Sequence, residues 1–518
     1  MAKLNMAIKT IYCGCTETFW VEAAERLANE HEMIPCYWTG LTRDMPPIKK
    51  IFPDVVYHDS FDAMRGVPAS ECAEMPRGCV DHEILLSLSY NESIVMTMMN
   101  RMDPGRAFTY PERVRHYHTL LGYWLGVLDY YEPDIVIFPY IPHVIYDYVL
   151  YSLCRHRKIK TFLLQVPPSF YNSLLFPVEN FELESPAQIQ FEKWCESDQT
   201  DGTNQLSDVA ENYLKKMQGD YLEGMPFQVK NDRQLLNKIL NKRTISSIRD
   251  FKKLYRSMRS LLISPWRAGR LNYLKHPRRR IENSKWSDFE YRFYKYKANR
   301  LKKKMSHHYN SLTKKIDMDK PFIYVALHYQ PEQTSSPMGG FFVEQYFMID
   351  LLSKTIPLGW YLYVKENYWQ NVLLSHGERA RSFDFYDDLA SIPNVVLVPT
   401  STNPWDLIDN AKAVATVTGT SGWEAVMRKK PALIFGYAWY RGCEGVFFVP
   451  DQKTLLDAIE VIQYGYKVDI NKVKLFMLAI ESVCYKGYSD SNYGAVANVT
   501  YKENVNNLVD AISDFFPN

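Results

Sequence analysis

The sequence predicts an α/β fold of two doubly wound units facing a cleft, with a helical, basic insertion between them. Three observations carry this prediction. The chain has 518 residues, more than a single hydrophobic core usually serves. Strand-like and helical runs alternate near the start and again, more regularly, after Pro321, which is the rhythm of parallel strands covered by helices. Between the two stretches that rhythm stops: from Asn241 to Lys304 there are 21 Lys or Arg against four Asp or Glu, although the formal net charge of the whole chain is only +2.

The elements follow in order. Ala7 to Cys15 is an apolar strand ending in a turn, and Thr18 to Asn29 places Trp20, Val21, Ala24 and Leu27 at helical spacing. Met33 to Trp38 is a second strand, Asp81 to Tyr131 is mostly helical by pattern, and Pro133 to Phe138 is a β-branched run suited to a buried parallel strand. Helix Tyr146 to Arg157 and strand Lys160 to Leu164 complete a β-α-β unit, which sets a first α/β domain at 1–185. Residues 186–319 form the helical basic segment, its cations interrupted by Trp266, Tyr273, Trp286, Phe289, Tyr291 and Tyr294. That pattern suits a solvated helical face first, and after it an anionic membrane surface or a lipid-linked acceptor; nucleic acid is not expected as a partner. A second α/β domain at 320–518 rests on Phe322 to Leu327, Trp360 to Val364, Asn394 to Val398, Ala413 to Val417 and Ala432 to Phe435.

Composition narrows the class. No apolar run approaches the roughly 20 residues that span a bilayer, and the start has no charged region followed by an apolar one and a cleavage site. A cytoplasmic protein is expected, peripheral on the inner membrane face through residues 241–304. The nine cysteines are scattered without C-x-x-C spacing, so neither a zinc site nor a disulfide framework is indicated, and no metal or cofactor is expected.

Ligands of doubly wound sheets bind outside the carboxyl ends of the strands, so residues there are the site candidates. Gly419, Thr420, Ser421, Gly422 and Glu424 form a small-residue turn between a strand and a helix. Its backbone N–H groups and hydroxyls suit an anion, and Glu424 suits a sugar or ribose hydroxyl. An ordinary turn with Ser421 as N-cap accounts for the same residues. His328, Gln330 and Glu332 follow the first strand of the second domain, where His328 is able to bond a phosphate or protonate a departing oxygen. Lys365 and Glu366 end the next strand, and Lys365 suits a phosphate, though a surface ion pair explains it too. In the first domain Glu17, Glu92, His143 and Asp147 are candidates for a base acting on an acceptor hydroxyl, and the sequence does not choose among them.

Read together, His328-Tyr329-Gln330-Pro331-Glu332, Pro337-Met338-Gly339-Gly340, Val364-Lys365-Glu366, Gly419 to Ala425 and Pro431 to Gly436 resemble the capsular polysaccharide biosynthesis family, relatives of the capsule Kdo transferases. The resemblance is closest over residues 321–450. It implies a GT-B-like pair of Rossmann-like domains and a metal-independent glycosyltransferase. The implied donor is a nucleotide sugar, often in such relatives a CMP-activated ulosonic acid such as Kdo or a sialic-acid-like sugar, and the acceptor a growing surface polysaccharide. By that analogy Gly419 to Glu424 hold the donor nucleotide and its phosphate, and His328 and Lys365 stabilise the leaving group. Two other readings share the architecture: a nucleotide-sugar 2-epimerase, and a non-catalytic polysaccharide-assembly protein.

Overall fold

The computed structural model describes residues 7–103, 108–165, 174–197, 205–220, 288–372, 375–494 and 497–516. Two sheets organise them. The first is seven-stranded: β1 (Ile8–Cys13), β2 (Met33–Gly40), β3 (Val56–Asp59), β4 (Ile135–Phe138), β5 (Lys160–Gln165), β6 (Leu174–Val178) and β13 (Tyr485–Lys486), in the order β13-β6-β5-β4-β1-β2-β3. Strands β1 to β5 run parallel, β6 pairs antiparallel with β5, and β13 pairs antiparallel with β6 at the edge. The second sheet contains β7 (Phe322–Ala326), β8 (Tyr361–Lys365), β9 (Val395–Val398), β10 (Ala413–Thr416), β11 (Ala432–Ile434) and β12 (Val446–Phe448) in the order β12-β11-β10-β7-β8-β9, all parallel. Each sheet therefore starts at its centre, winds outward to one edge and returns to the other side, the doubly wound order 3-2-1-4-5 extended by further strands. This is the pair of doubly wound α/β units that the alternating runs predict.

Strand side chains alternate faces, and each sheet uses both of them. In β1 and β4, Ile11, Cys13, Val136 and Phe138 pack beneath α2 (Ser89–Met102), α3 (Tyr110–Tyr131) and α4 (Tyr146–Arg157). Tyr12, Ile135 and Ile137 face the opposite layer, made of α1 (Thr18–His31) and α13 (Tyr501–Phe515). Both faces being covered is why β4 reads as the continuous apolar run IVIF instead of an alternating one. In the second sheet, Ile323, Val325, Leu362 and Val364 face one core with α8 (Gln345–Thr355), and Phe322, Tyr324, Tyr363 and Val414 face another with α11 (Thr420–Met427) and α12 (Ile470–Val483).

The segment between the sheets contributes α5 (Pro186–Glu196) and α6 (Asp208–Gln218), which pack with the second sheet's core, and α7 (Asp288–Leu312). Most of the basic segment expected at 241–304 lies outside the described residues; its last part is α7. After α12 the chain returns to the first sheet, where β13 pairs with β6 and α13 lies along α1. Cys13 and Cys15 are buried, and burial pushes both thiols well up, the environment of packing residues instead of reactive ones. Among the described residues no helix is long and apolar enough to cross a membrane, and no group of three or more His, Cys, Asp or Glu is placed to hold a metal ion.

Candidate active site

The loops that leave the carboxyl ends of β4, β7, β8 and β10, the edge where doubly wound sheets bind ligands, meet along one seam. The loop after β7 is fixed by His328. Its Nε2 accepts the Thr418 backbone N–H at 3.0 Å and lies 3.1 Å from the Thr416 hydroxyl, so the ring proton belongs on Nδ1. Nδ1 faces Glu332 Oε1 at 3.7 Å. The Thr418 hydroxyl donates to the Thr334 carbonyl at 2.5 Å, and the Thr334 hydroxyl donates to Glu332. His328 thus ties the 418–420 turn to the Glu332 loop and leaves Glu332, with its side chain 35% exposed, as the accessible carboxylate.

Across the seam stand Arg101, at the end of α2, and the loop after β4. Arg101 donates to the His143 carbonyl, and Asp147 and Glu332 are its electrostatic partners. In that loop Tyr146 N–H bonds the Val144 carbonyl at 2.5 Å around Ile145, whose φ of 53° and ψ of −72° form a γ-turn in a region a β-branched residue rarely occupies. Asp147 holds this strained turn by accepting the backbone N–H groups of His143, Val144 and Tyr148 at 3.2, 2.7 and 2.7 Å. Burial raises its carboxyl to about 6 against those hydrogen bonds. His143 donates from Nδ1 to the Ile141 carbonyl, and burial together with Arg101 lowers its pKa to about 3, so its imidazole is neutral and Nε2 is the open nitrogen. A second bridge comes from Arg379, which donates to the Arg101 carbonyl at 2.5 Å. Gly340, with φ +52°, brings the β7 loop against Tyr90 of α2, where a Cβ would lie 2.9 Å from the Tyr90 hydroxyl.

The turn after β10 forms the other half. Gly419 is the N-cap of α11, in place of Ser421, and Gly419, Thr420 and Ser421 are half-exposed at the helix start. Gly422 lies under the Tyr440 ring, where a Cβ would come within 2.5 Å of its hydroxyl, and Tyr440 donates to the Gly419 carbonyl. Glu424 is buried, accepts from the Trp405 indole at 2.8 Å and the Thr420 hydroxyl at 3.3 Å, and its pKa is raised by burial against the pull of Arg428 and Lys365. Lys365, half-buried at the end of β8, is thereby placed on the Glu424 side of the turn.

The remaining candidates lie apart from this seam or serve its frame. Gln330 and Glu366 hold Arg381: its Nε bonds Glu366 Oε2 at 2.9 Å and its Nη1 bonds Gln330 Oε1 at 2.6 Å, while Tyr386 and the Asn367 N–H occupy the rest of the Glu366 carboxylate. Glu17 precedes α1 and accepts from Ser491 of the returning chain at 3.0 Å. Glu92 lies on α2 beside Tyr117. The sequence reading missed Arg101, Arg379 and Arg381. Only their positions at a helix end or in a loop beyond a strand marked them, a weak signal.

The model of the capsule polysaccharide biosynthesis protein family matches residues 361–456, a stretch that includes Lys365 and the whole 419–424 turn. A comparison with curated protein sequences finds no match. Among solved structures, KpsC of Thermosulfurimonas dismutans, a beta Kdo 2,7 transferase, is similar at 14% identity and TM-score 0.23, over 41% of this chain and 61% of that one. The chain thus spans less than two thirds of that protein's length. The UDP-GlcNAc 2-epimerase of Methanocaldococcus jannaschii, in complex with UDP-GlcNAc and UDP, is similar at 10% identity and TM-score 0.25, over 92% and 99% of the two chains. That of Neisseria meningitidis, bound to UDP-GlcNAc, is similar at 10% identity and TM-score 0.23, over 98% and 99%. Likenesses at this level carry no argument about chemistry, which rests on the residues above.

Proposed function

We propose, from the capsule polysaccharide biosynthesis match over residues 361–456, that the protein is a glycosyltransferase that moves a sugar from a nucleotide donor to a growing surface polysaccharide. The observation that supports it most directly is the pairing of an anion-suited helix start, Gly419 to Ser421, with an accessible carboxylate, Glu332, through the single side chain of His328.

In this reading the donor phosphate lies at the start of α11, where unpaired backbone N–H groups and the helix dipole favour negative charge, with Lys365 beside it. As the bond from sugar to phosphate breaks, the phosphate gains charge and the sugar becomes oxocarbenium-like. Fixed N–H dipoles then favour the transition state over the ground state. Glu332 takes the proton of the acceptor hydroxyl. His143 is a poor base, since a pKa near 3 gives it little drive to accept a proton at neutral pH. Asp147, with three backbone donors on its carboxylate, positions the loop instead. His328 acts as a positioning residue that sets the Glu332 side chain and the donor turn together. The donor that the family resemblance favours is a CMP-activated ulosonic acid, and the chain acts without a metal in this reading.

The test is a thermal-shift titration with CMP, UDP, GDP and dTDP, repeated with Ser421→Ala/Glu424→Ala. Stabilisation by one nucleotide that is lost in the variant supports the donor site. Product identification with the matching nucleotide sugar then separates transfer from epimerisation, because an epimerised nucleotide sugar formed without any acceptor overturns the transferase reading.

A further inference from the structure

The described end of the basic segment, α7, has its rotation fixed by packing. Ala298, Lys302, Met305 and Tyr309 recur at helical spacing and are buried against the second unit. Tyr309 donates to the Val398 carbonyl at 2.5 Å and accepts the Glu366 N–H at 3.0 Å, and Lys302 donates to the Ser375 carbonyl at 2.6 Å beside Glu378. The opposite stripe, Phe293, Lys297, Arg300, Lys304 and His307, is exposed along the same helix, flanked by Tyr296 and Lys303.

This outward face combines charge with apolar tips. The only acidic residues of α7, Asp288 and Glu290, lie in its first turn, and no Asp or Glu occurs from Tyr291 to Ile316. Phe293 is 49% and Tyr296 58% exposed, an unusual outlay of aromatic surface for a helix whose other face is already buried. The cations stand over these rings: Lys297 Nζ is 4.4 Å from the Phe293 centroid, and the Arg300 guanidinium is 5.8 Å from that of Tyr296. A helix face with interleaved rings and long cationic stems fits a plane into which rings dip while the charges stay at the surface.

We propose that the outward face of α7 docks the protein on an anionic phospholipid surface. The charge complementarity is direct, since each Lys or Arg held near an anionic leaflet adds attraction, and the rings add an apolar contribution that salt does not screen. Docking there also fits the position of α7, because the loop it packs on carries Arg379, the residue that reaches Arg101 across the seam. The inference does not depend on the transfer reaction.

The experiment is co-sedimentation of the full chain with vesicles of mixed phosphatidylserine and phosphatidylcholine, with phosphatidylcholine alone as the comparison and single-stranded RNA as a competing anion. The expected result is binding to the anionic vesicles only, weakened about a hundredfold by Lys297→Gln/Arg300→Gln/Lys304→Gln. Phe293→Ser/Tyr296→Ser is expected to remove the part of binding that persists at high salt. All five positions are exposed, so unchanged thermal midpoints show that the variants fold. Equal binding to both vesicle types, undiminished binding by the charge variant, no vesicle binding, or capture by RNA in place of vesicles overturns the proposal.

Discussion

Glu366 and Arg381 sit with side chains 0% and 1% exposed, and the pair frames the loops after β7 and β8. A buried ion pair contributes little against an apolar alternative, but removing one partner strands the other. Arg381→Met is therefore expected to cost about 3–5 kcal/mol in chemical denaturation, because the Glu366 carboxylate loses its countercharge in a dry site. Glu332→Gln makes the contrasting case. Its side chain is partly exposed, so stability should hold and nucleotide-induced stabilisation should persist, while turnover with a matched donor and acceptor falls about 10²–10⁴-fold. Retained turnover would move the base elsewhere on the seam. At this scale the sequence was only partly legible. Residue type and strand-end position brought forward His328, Glu332, His143 and Asp147, which the fold gathers at one seam. The same cues brought forward Gln330 and Glu366, because a carboxylate facing a ligand and one facing a buried arginine look alike until the Arg381 side chain is placed. Arg101 was passed over because its partners lie in loops distant from it along the chain.

Elements of the first unit are joined by a directed chain of hydrogen bonds. The Ala69 N–H donates to the Tyr123 hydroxyl at 3.1 Å, Tyr123 to the Tyr37 hydroxyl at 2.7 Å, and Tyr37 to His58 Nδ1 at 2.7 Å. His58 Nε2–H then donates to the Val67 carbonyl at 2.8 Å, which ties β2, β3 and α3 together and requires a neutral imidazole. Burial lowers the His58 pKa to about 4. The unfolded chain, with an ordinary histidine near 6.5, binds the proton first as pH falls. Stability from this group is therefore complete above about pH 6.5 and is lost between there and about pH 4, by about 3 kcal/mol. Denaturation midpoints measured across that window should fall less steeply in His58→Gln; an unchanged slope would falsify this account. The parallel strands were the most legible elements, since burial on both faces makes Ile135 to Phe138 and Phe322 to Ala326 continuous apolar runs. The two-residue β13 and the three-residue β12 carry too few residues to show a period at all.

At the scale of the molecule the return of the chain to the first sheet matters most. Val505, Leu508, Val509 and Ile512 of α13 are buried in the core that contains Trp20 and Leu27 of α1. Each such side chain contributes about 1.5–3 kcal/mol. A chain ending at Val483 is expected to lose cooperative unfolding of the first unit and to bind an apolar dye, as followed by circular dichroism and fluorescence, while the second sheet keeps its own cores. No composition shift near residue 484 announces this crossing, because an amphipathic helix reads the same whichever sheet it covers. Topologically, the second sheet is an insertion within the first unit, entered after β6 and left before β13. Two connections in place of one restrain how the halves move: rocking about the seam bends both covalent links together, whereas free swivelling would twist them around each other. A protease nick in either link would leave a complex of two fragments that remains assembled until the other link is cut or the protein is denatured.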